Sequence, residues 1–387
     1  MVKWAVASAF TSFFAFTLLD PYYLQFFTTD RGLNLSPTLF GLYVSFHSLV
    51  GFLLEYPSGT FSDKFGRRLS WALGLFAYGV GLLWLSQVTS FYLALITASF
   101  QGMYFALKSG SSSDWLYDHV GKEGMREAYG MYYLLAVPFT LVGGIIATLL
   151  GLQVAIWVPI AFVGIIMIAN GAFILTFTEN YGSKDKTSLQ IAKEGGSQFF
   201  KNPILQIVAV QSFFMTLPVW INSAWWLTYL VKHYNPTVGK TALMFTISAV
   251  GGAAVGVYLH RSEQTNYQRF IIYPSLIMGV IYFMLPFFPA FWLYVGFITL
   301  VIVGARLRKA GLSILQNECI ETERATALSF LGLISKFYWM VVPPLWGLVI
   351  ELLTLKYTFL LAGGCTFFSL FLLSIALQMR ENRENKD

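Results

Sequence analysis

Gly59-Thr60-Phe61-Ser62-Asp63-Lys64-Phe65-Gly66-Arg67-Arg68 is a short polar stretch joining two apolar runs, at about 38–61 and 69–88, each long enough to cross a membrane. Its two glycines let backbone approach closely and turn sharply. Asp63 can complement the positive N-terminus of a neighbouring helix. Lys64, Arg67 and Arg68 cluster as cations do where a chain leaves the inner leaflet of a bilayer. The rest of the chain has the same character. Its 387 residues are 56% hydrophobic, 18% aromatic and 11% charged, with a mean hydropathy of +0.63. A soluble domain carries about 25% charged residues, so a water-soluble fold is excluded. Apolar runs of spanning length fall at about 4–27, 38–61, 69–88, 91–113, 127–150, 153–177, 204–230, 239–259, 270–288, 291–309, 325–350 and 357–379. Transmembrane strands are about ten residues long and alternate apolar with polar; these runs do neither. The expected fold is an all-α membrane protein of twelve helices.

Twelve spans put both ends on one side, and the basic residues choose which. Of the 25 Lys and Arg, nineteen fall on the side of the termini and four, Arg31, Lys232, Lys240 and Lys356, on the other, with Lys108 and Lys336 inside the membrane. Both termini are therefore expected in the cytoplasm of a cell-membrane protein. The first run has no small-residue cleavage site and reads as a retained span. The pI near 9.1 and net charge of +6 belong to this orientation and not to nucleic-acid binding. Cys319 and Cys365 lie outside any metal-ligand or redox spacing, and no P-loop, H-E-x-x-H or G-x-S-x-G occurs. No cofactor, metal or enzymatic activity is expected. The longest polar stretch divides the chain into halves of six spans, 1–177 and 204–387, with a cytoplasmic linker at 178–203. An offset of 200 residues aligns Phe91-Tyr92-Leu93 with Phe291-Trp292-Leu293 and Lys108 with Arg308, as in the internal repeats of secondary transporters.

The stretch 59–68 resembles the G-x-x-x-D-[RK]-x-G-R-[RK] loop of the major facilitator superfamily. That resemblance implies two pseudo-symmetric six-helix halves. It also implies that Gly59, Asp63, Lys64, Gly66, Arg67 and Arg68 form a latch holding the outward-open state. Glu55-Tyr56-Pro57-Ser58-Gly59 is similar to the E-x-P-T-G variant found before that loop, and Arg324 to Ser329 resembles the start of span eleven. The antiporter signature G-P-x-x-G-G is matched poorly by Pro138 and Gly143-Gly144, and Ala98 stands where proton-linked exporters carry arginine. Glu179-Asn180-Tyr181-Gly182, Asp20-Pro21-Tyr22 and Asp114-Trp115 resemble positions of the molybdate-anion transporter branch.

Ionisable residues at membrane depth are costly and mark functional sites unless they can snorkel. At about 1.5 Å per residue, Lys336 lies about 18 Å into span eleven, near the midplane. Lys108 precedes the small, polar run Ser109 to Ser113, and Arg308 lies near the end of span ten. In span seven, Gln211, Pro218, Asn222 and Trp225 share a face at steps of seven, four and three. The expected solute ligands are Lys336, Lys108, Asn222, Gln211 and Arg308. Asp20, in the outer part of span one, and His47, about 13 Å into span two, are the candidates for proton coupling, since histidine titrates near neutral pH. These cations outweigh the acids Asp20 and Glu55, which favours alternating-access transport of a small anion or a solute with an anionic group, with the proton as coupling ion. The competing expectation is proton-coupled export of hydrophobic or cationic compounds.

Overall fold

The computed structural model describes residues 2–109, 111–151, 154–179, 181, 199–261, 268–287, 290–319 and 324–384. Among them the chain is helical, with turns and no strand. The helices are α1 (Val2–Thr28), α2 (Pro37–Phe65), α3 (Arg67–Leu85), α4 (Phe91–Lys108), α5 (Ser111–Leu150), α6 (Trp157–Ile174), α7 (Pro203–Trp220), α8 (Trp226–Tyr234), α9 (Val238–Arg261), α10 (Tyr273–Met284), α11 (Phe291–Glu318) and α12 (Arg324–Glu384). The expected linker, 178–203, lies mostly outside the described residues. So do Asn180, Gly182, most of the loop from His260 to Arg269, and the side chains of Asp114 and of Arg324 to Ser329.

Local chemistry sets the helix ends. Ser36 and Ser90 cap α2 and α4 by accepting from the backbone N–H of Leu39 and Leu93, and Asn202 caps α7 through Ile204, each satisfying one orphan donor of a first turn. Pro37 and Pro203 follow their caps, where a missing N–H costs nothing. Between α2 and α3 the chain turns on a single residue, Gly66, at φ 112°, a conformation that an L side chain rarely adopts.

Eight stretches among the described residues are long and apolar enough to cross a membrane. The runs at 325–350 and 357–379 merge into one stretch, Phe330–Asn382, interrupted at Thr354, where φ is 65°. The runs at 4–27, 91–113 and 127–150 are helical as α1, α4 and the end of α5 but are not among the eight.

The chain forms two compact units. The first is Met1–Lys184 with Leu227–Ser262, and the second is Asp185–Trp226 with Glu263–Asp387. In the first unit α3 packs on α4 and α6, α2 on α4, α1 on α5 and α6, and α9 on α5 and α1. Helices α3 and α6 meet through Gly79 and Gly164, where a Cβ on either would come within 3 Å of the other's carbonyl oxygen. Such small-residue contacts let helix backbones approach where no hydrophobic effect drives association. Gly144 of α5 likewise faces Thr246 of α9. Arg31, after α1, donates to Gln25 Oε1 at 2.6 Å and to the Pro236 carbonyl at 3.1 Å, joining the α1–α2 and α8–α9 connections. In the second unit α7 packs on α12, and α10 on α11 and α12. The Tyr282 hydroxyl donates to the carbonyl of Pro218 at 2.9 Å.

Candidate functional site

The loop 59–68 is built around a carboxylate 111 residues away from it. Glu179, just past α6, accepts from the backbone N–H of Arg68 at 2.8 Å and of Leu69 at 3.3 Å, and from Arg68 Nε at 3.2 Å. It therefore caps the N-terminus of α3, where both orphan donors and helix dipole favour an anion. Gly66 makes room for it, since a Cβ there would stand 2.6 Å from both carboxylate oxygens. Arg68 Nη1 reaches the carbonyls of Leu175 at 3.2 Å and Phe177 at 2.5 Å. Arg67 pairs with Asp118 of α5. Of the expected latch residues, Gly66, Arg67 and Arg68 thus come together. Lys64 lies over the ring of Phe65 at 5.2 Å. Gly59 has open space beside it. The acid found at the α3 N-terminus is Glu179 and not Asp63, which makes no hydrogen bond among the described residues. Nothing local in the sequence marks Glu179 or Asp118 as partners of this loop.

Inside the first unit a row of hydroxyls runs between α1, α2 and α4. Tyr23 and Tyr43 hydroxyls lie 2.9 Å apart, and both reach Gln101 Oε1, at 2.9 and 2.8 Å. The Asp20 carboxylate is exposed on α1. Lys108 donates to the Tyr104 hydroxyl at 2.8 Å, one turn back on its own helix, with Nζ 5.1 Å from that ring's centroid. His47 packs on Phe105, ring centroids 5.1 Å apart. Asp20 and His47 do not meet among the described contacts. Tyr23, Tyr43 and Tyr104 carry no sequence signal beyond being polar-tipped aromatics in apolar helices.

In the second unit two expected ligands meet directly. Arg308, only 6% exposed, donates from Nη2 to Gln211 Oε1 and to Ser369 Oγ, both at 2.6 Å, and from Nε to Ser275 Oγ at 3.1 Å. Ser369 donates in turn to Gln211 Oε1 at 2.8 Å. Four helices, α7, α10, α11 and α12, each supply one member. Asn222 sits in a π-helical segment, Ile221–Trp225, that follows Pro218. Its Oδ1 is buried without a hydrogen-bond partner among the described residues. The i→i+5 bonds of that segment widen the turn, so the 3.6-residue register that groups Gln211 with Asn222 and Trp225 does not continue past Trp220. The opposite side of α7 packs against α12 through Thr216, Trp220, Tyr338, Trp339, Pro343 and Trp346, with no space between them large enough for a water molecule. Trp346 Nε1 donates to Thr216 Oγ1 at 2.8 Å. Lys336 is half-buried on α12.

No group of three or more potential metal ligands occurs among the described residues. The sequence model of the Major Facilitator Superfamily matches residues 5–314. None of the curated protein sequences matches the chain. Among solved structures, the nucleoside transporter NupG superposes with a TM-score of 0.77 at 13% identity, over 97% of this chain and 98% of that one. A bacterial homolog of the human lysosomal transporter Spinster gives 0.68 at 14% identity, covering 97% and 95%. The human organic anion transporter MFSD10 gives 0.62 at 16% identity, covering 96% and 98%. At these identities the likeness is one of fold.

Proposed function

The chain belongs to the major facilitator superfamily, and from that premise we propose that it moves a small solute bearing an anionic group across the cell membrane by alternating access. In this reading twelve crossings form two six-helix halves, 1–177 and 204–387, joined by a cytoplasmic linker at 178–203, with both termini in the cytoplasm. The observation that carries the anion is the partnering of two cations. Lys108 and Arg308 bond only to neutral groups among the described residues, a phenol for one and a carboxamide and two serines for the other. A desolvated cation without an acid is most stable when an anion completes it. Lys336, Lys108, Asn222, Gln211 and Arg308 are the proposed ligands. The fold serves such solutes elsewhere, in the human organic anion transporter MFSD10, and the resemblance of Glu179 to Gly182 to the molybdate-anion branch points the same way. Lys336→Gln is expected to weaken binding of an anionic solute by at least about tenfold, about 1.4 kcal/mol, with Lys336→Arg retaining part of it. Calorimetric titration of both variants, after monodisperse elution confirms folding, checks this; undiminished binding by Lys336→Gln removes that lysine from the ligands.

The second reading, export of hydrophobic or cationic compounds, draws on the aromatic residues packed between α7 and α12, Trp220, Tyr338, Trp339 and Trp346, because tryptophan and tyrosine faces attract cations. Under it Lys336→Gln leaves binding of a lipophilic cation equal or stronger. In either case Asp20 and His47 are the proposed proton-coupling residues. Asp20→Asn and His47→Gln are then expected to preserve solute exchange in proteoliposomes while abolishing gradient-driven accumulation. Wild-type transport indifferent to a pH gradient and to uncoupler ends that role for both.

A further inference from the structure

Two stretches that stand out in the sequence, at Trp115 and at Glu179, meet in the structure through Thr178. Trp115 Nε1 donates to the Thr178 carbonyl at 2.8 Å, across a gap of 63 residues. His119, one turn further along α5, stacks on that indole with ring centroids 4.1 Å apart, and its Nε2 lies 3.0 Å from Thr178 Oγ1. Its Nδ1 lies 2.7 Å from the Trp115 carbonyl. A carbonyl only accepts, so Nδ1 carries the proton, and in the neutral ring Nε2 accepts from the threonine hydroxyl. Thr178 is thus gripped by its backbone and by its side chain. Trp115 is itself fixed, being 1% exposed and packed against Phe177 and against Trp71 of α3, at 5.3 and 6.1 Å between centroids.

The residue after Thr178 is Glu179, whose carboxylate caps α3 and meets Arg68. Helix α6 ends at Ile174, so its own ladder does not reach either residue. The stretch is held from two sides, with Arg68 Nη1 on the carbonyls of Leu175 and Phe177 and the Trp115–His119 pair on Thr178. The same part of α5, ahead of Gly121 where φ is 64°, supplies Asp118 to Arg67. We propose that Trp115 and His119 are positioning residues for Glu179, and that this first part of α5 governs both arginines of the loop 59–68, Arg67 through Asp118 and Arg68 through Glu179. Their role rests on the alternating-access reading, in which that loop is a latch. Loosening the clamp withdraws the acid from the α3 N-terminus while every residue of the loop stays unchanged.

The backbone amides of Arg68 and Leu69 are first-turn donors with no acceptor inside their helix, and both bond to Glu179. Their protection from hydrogen exchange therefore reports the position of that carboxylate. The test is amide exchange of the purified full chain in detergent, without solute or gradient, read at these two amides by peptide fragmentation. Glu179→Ala is expected to raise exchange there by at least about tenfold. Trp115→Phe and His119→Ala are each expected to raise it about threefold to tenfold, to leave amides in α1 and the rest of α3 unchanged, and to add nothing in the Glu179→Ala background. His119→Gln, whose carboxamide can still reach Thr178, is expected to restore part of the protection. If Trp115→Phe does not fold, the two His119 variants decide. Exchange at Arg68 and Leu69 unmoved by these variants overturns the proposal. So does a rise spread evenly over α1 and α3, which marks a general loss of packing, and so does an effect that adds to that of Glu179→Ala. No solute enters this test, so a failed clamp leaves the transport reading standing. Exchange that behaves as expected in a chain whose transport is unaltered by Glu179→Ala supports the clamp and removes the latch.

Discussion

Two regions of this chain hold their cations in opposite ways. In the loop between α2 and α3, Arg67 meets Asp118 and Arg68 meets Glu179, so each arginine is closed by an acid. At depth, Arg308 is surrounded by a carboxamide and two hydroxyls, and Lys108 by a phenol. In both places basic residues recur in the sequence, but an ion pair at a helix end completes a fold, whereas a cation met only by neutral dipoles is left to be completed by something else. Under the proposed function the partner, and not the sign of the charge, separates a structural from a functional cation.

That contrast can be broken first at Arg308. Arg308→Met leaves Ser275, Gln211 and Ser369 without a shared partner, at about 1 kcal/mol for each lost bond. A loss near 3 kcal/mol in unfolding experiments in detergent is expected. An unchanged or raised midpoint would show that the buried charge burdens the fold as much as its bonds support it, and the distinction from the loop would fail.

Glu179→Gln is the next in size. It keeps an acceptor near the α3 N-terminus but removes the charge that faces Arg68 and the helix dipole, a loss of about 1 kcal/mol. The effect is expected to shrink in high salt, as a half-exposed pair does and a buried cluster does not. Salt-independent destabilisation would place Glu179 with the interior class.

The smallest stability effect belongs to Lys108. Its partner Tyr104 lies one turn away on the same helix, and such pairs contribute about 0.5 kcal/mol or less. Lys108→Met is expected to leave unfolding nearly unchanged while lowering affinity for an anionic solute about tenfold, about 1.4 kcal/mol. Equal small effects on both would make Lys108 a surface-type cation.

The sequence discloses what is periodic or punctuated. Apolar runs locate the helices because a bilayer demands a fixed length of apolar chain. Gly66 marks a one-residue turn, and the cations around it mark a membrane boundary. Lys108, Gln211 and Arg308 stand out because polar atoms are conspicuous in such runs. The partners are silent. Ser275 and Ser369 are two serines among many, and they are brought to Arg308 by helix packing across sequence gaps of 33 and 61 residues. Glu179 reads as part of a family segment, yet it caps a helix through the backbone N–H of Arg68, 111 residues earlier. The π-helical segment at Ile221–Trp225 is invisible to a reading that assumes one period throughout, and so the face shared by Gln211 and Asn222 holds in sequence only.

The first unit contains Leu227–Ser262, and this gives its assembly an order in time. A chain is synthesised from its N-terminus, and domains fold as units during that process. A nascent chain that has emerged only as far as α6 still lacks the helix that brings Thr246 against Gly144, and the Pro236 carbonyl that receives Arg31 does not yet exist. The α5 surface around Gly144 must wait in lipid, or beneath an insertion factor, until α9 arrives. Membrane insertion of this protein is therefore a delayed closure, with its earliest helices finished by a later one.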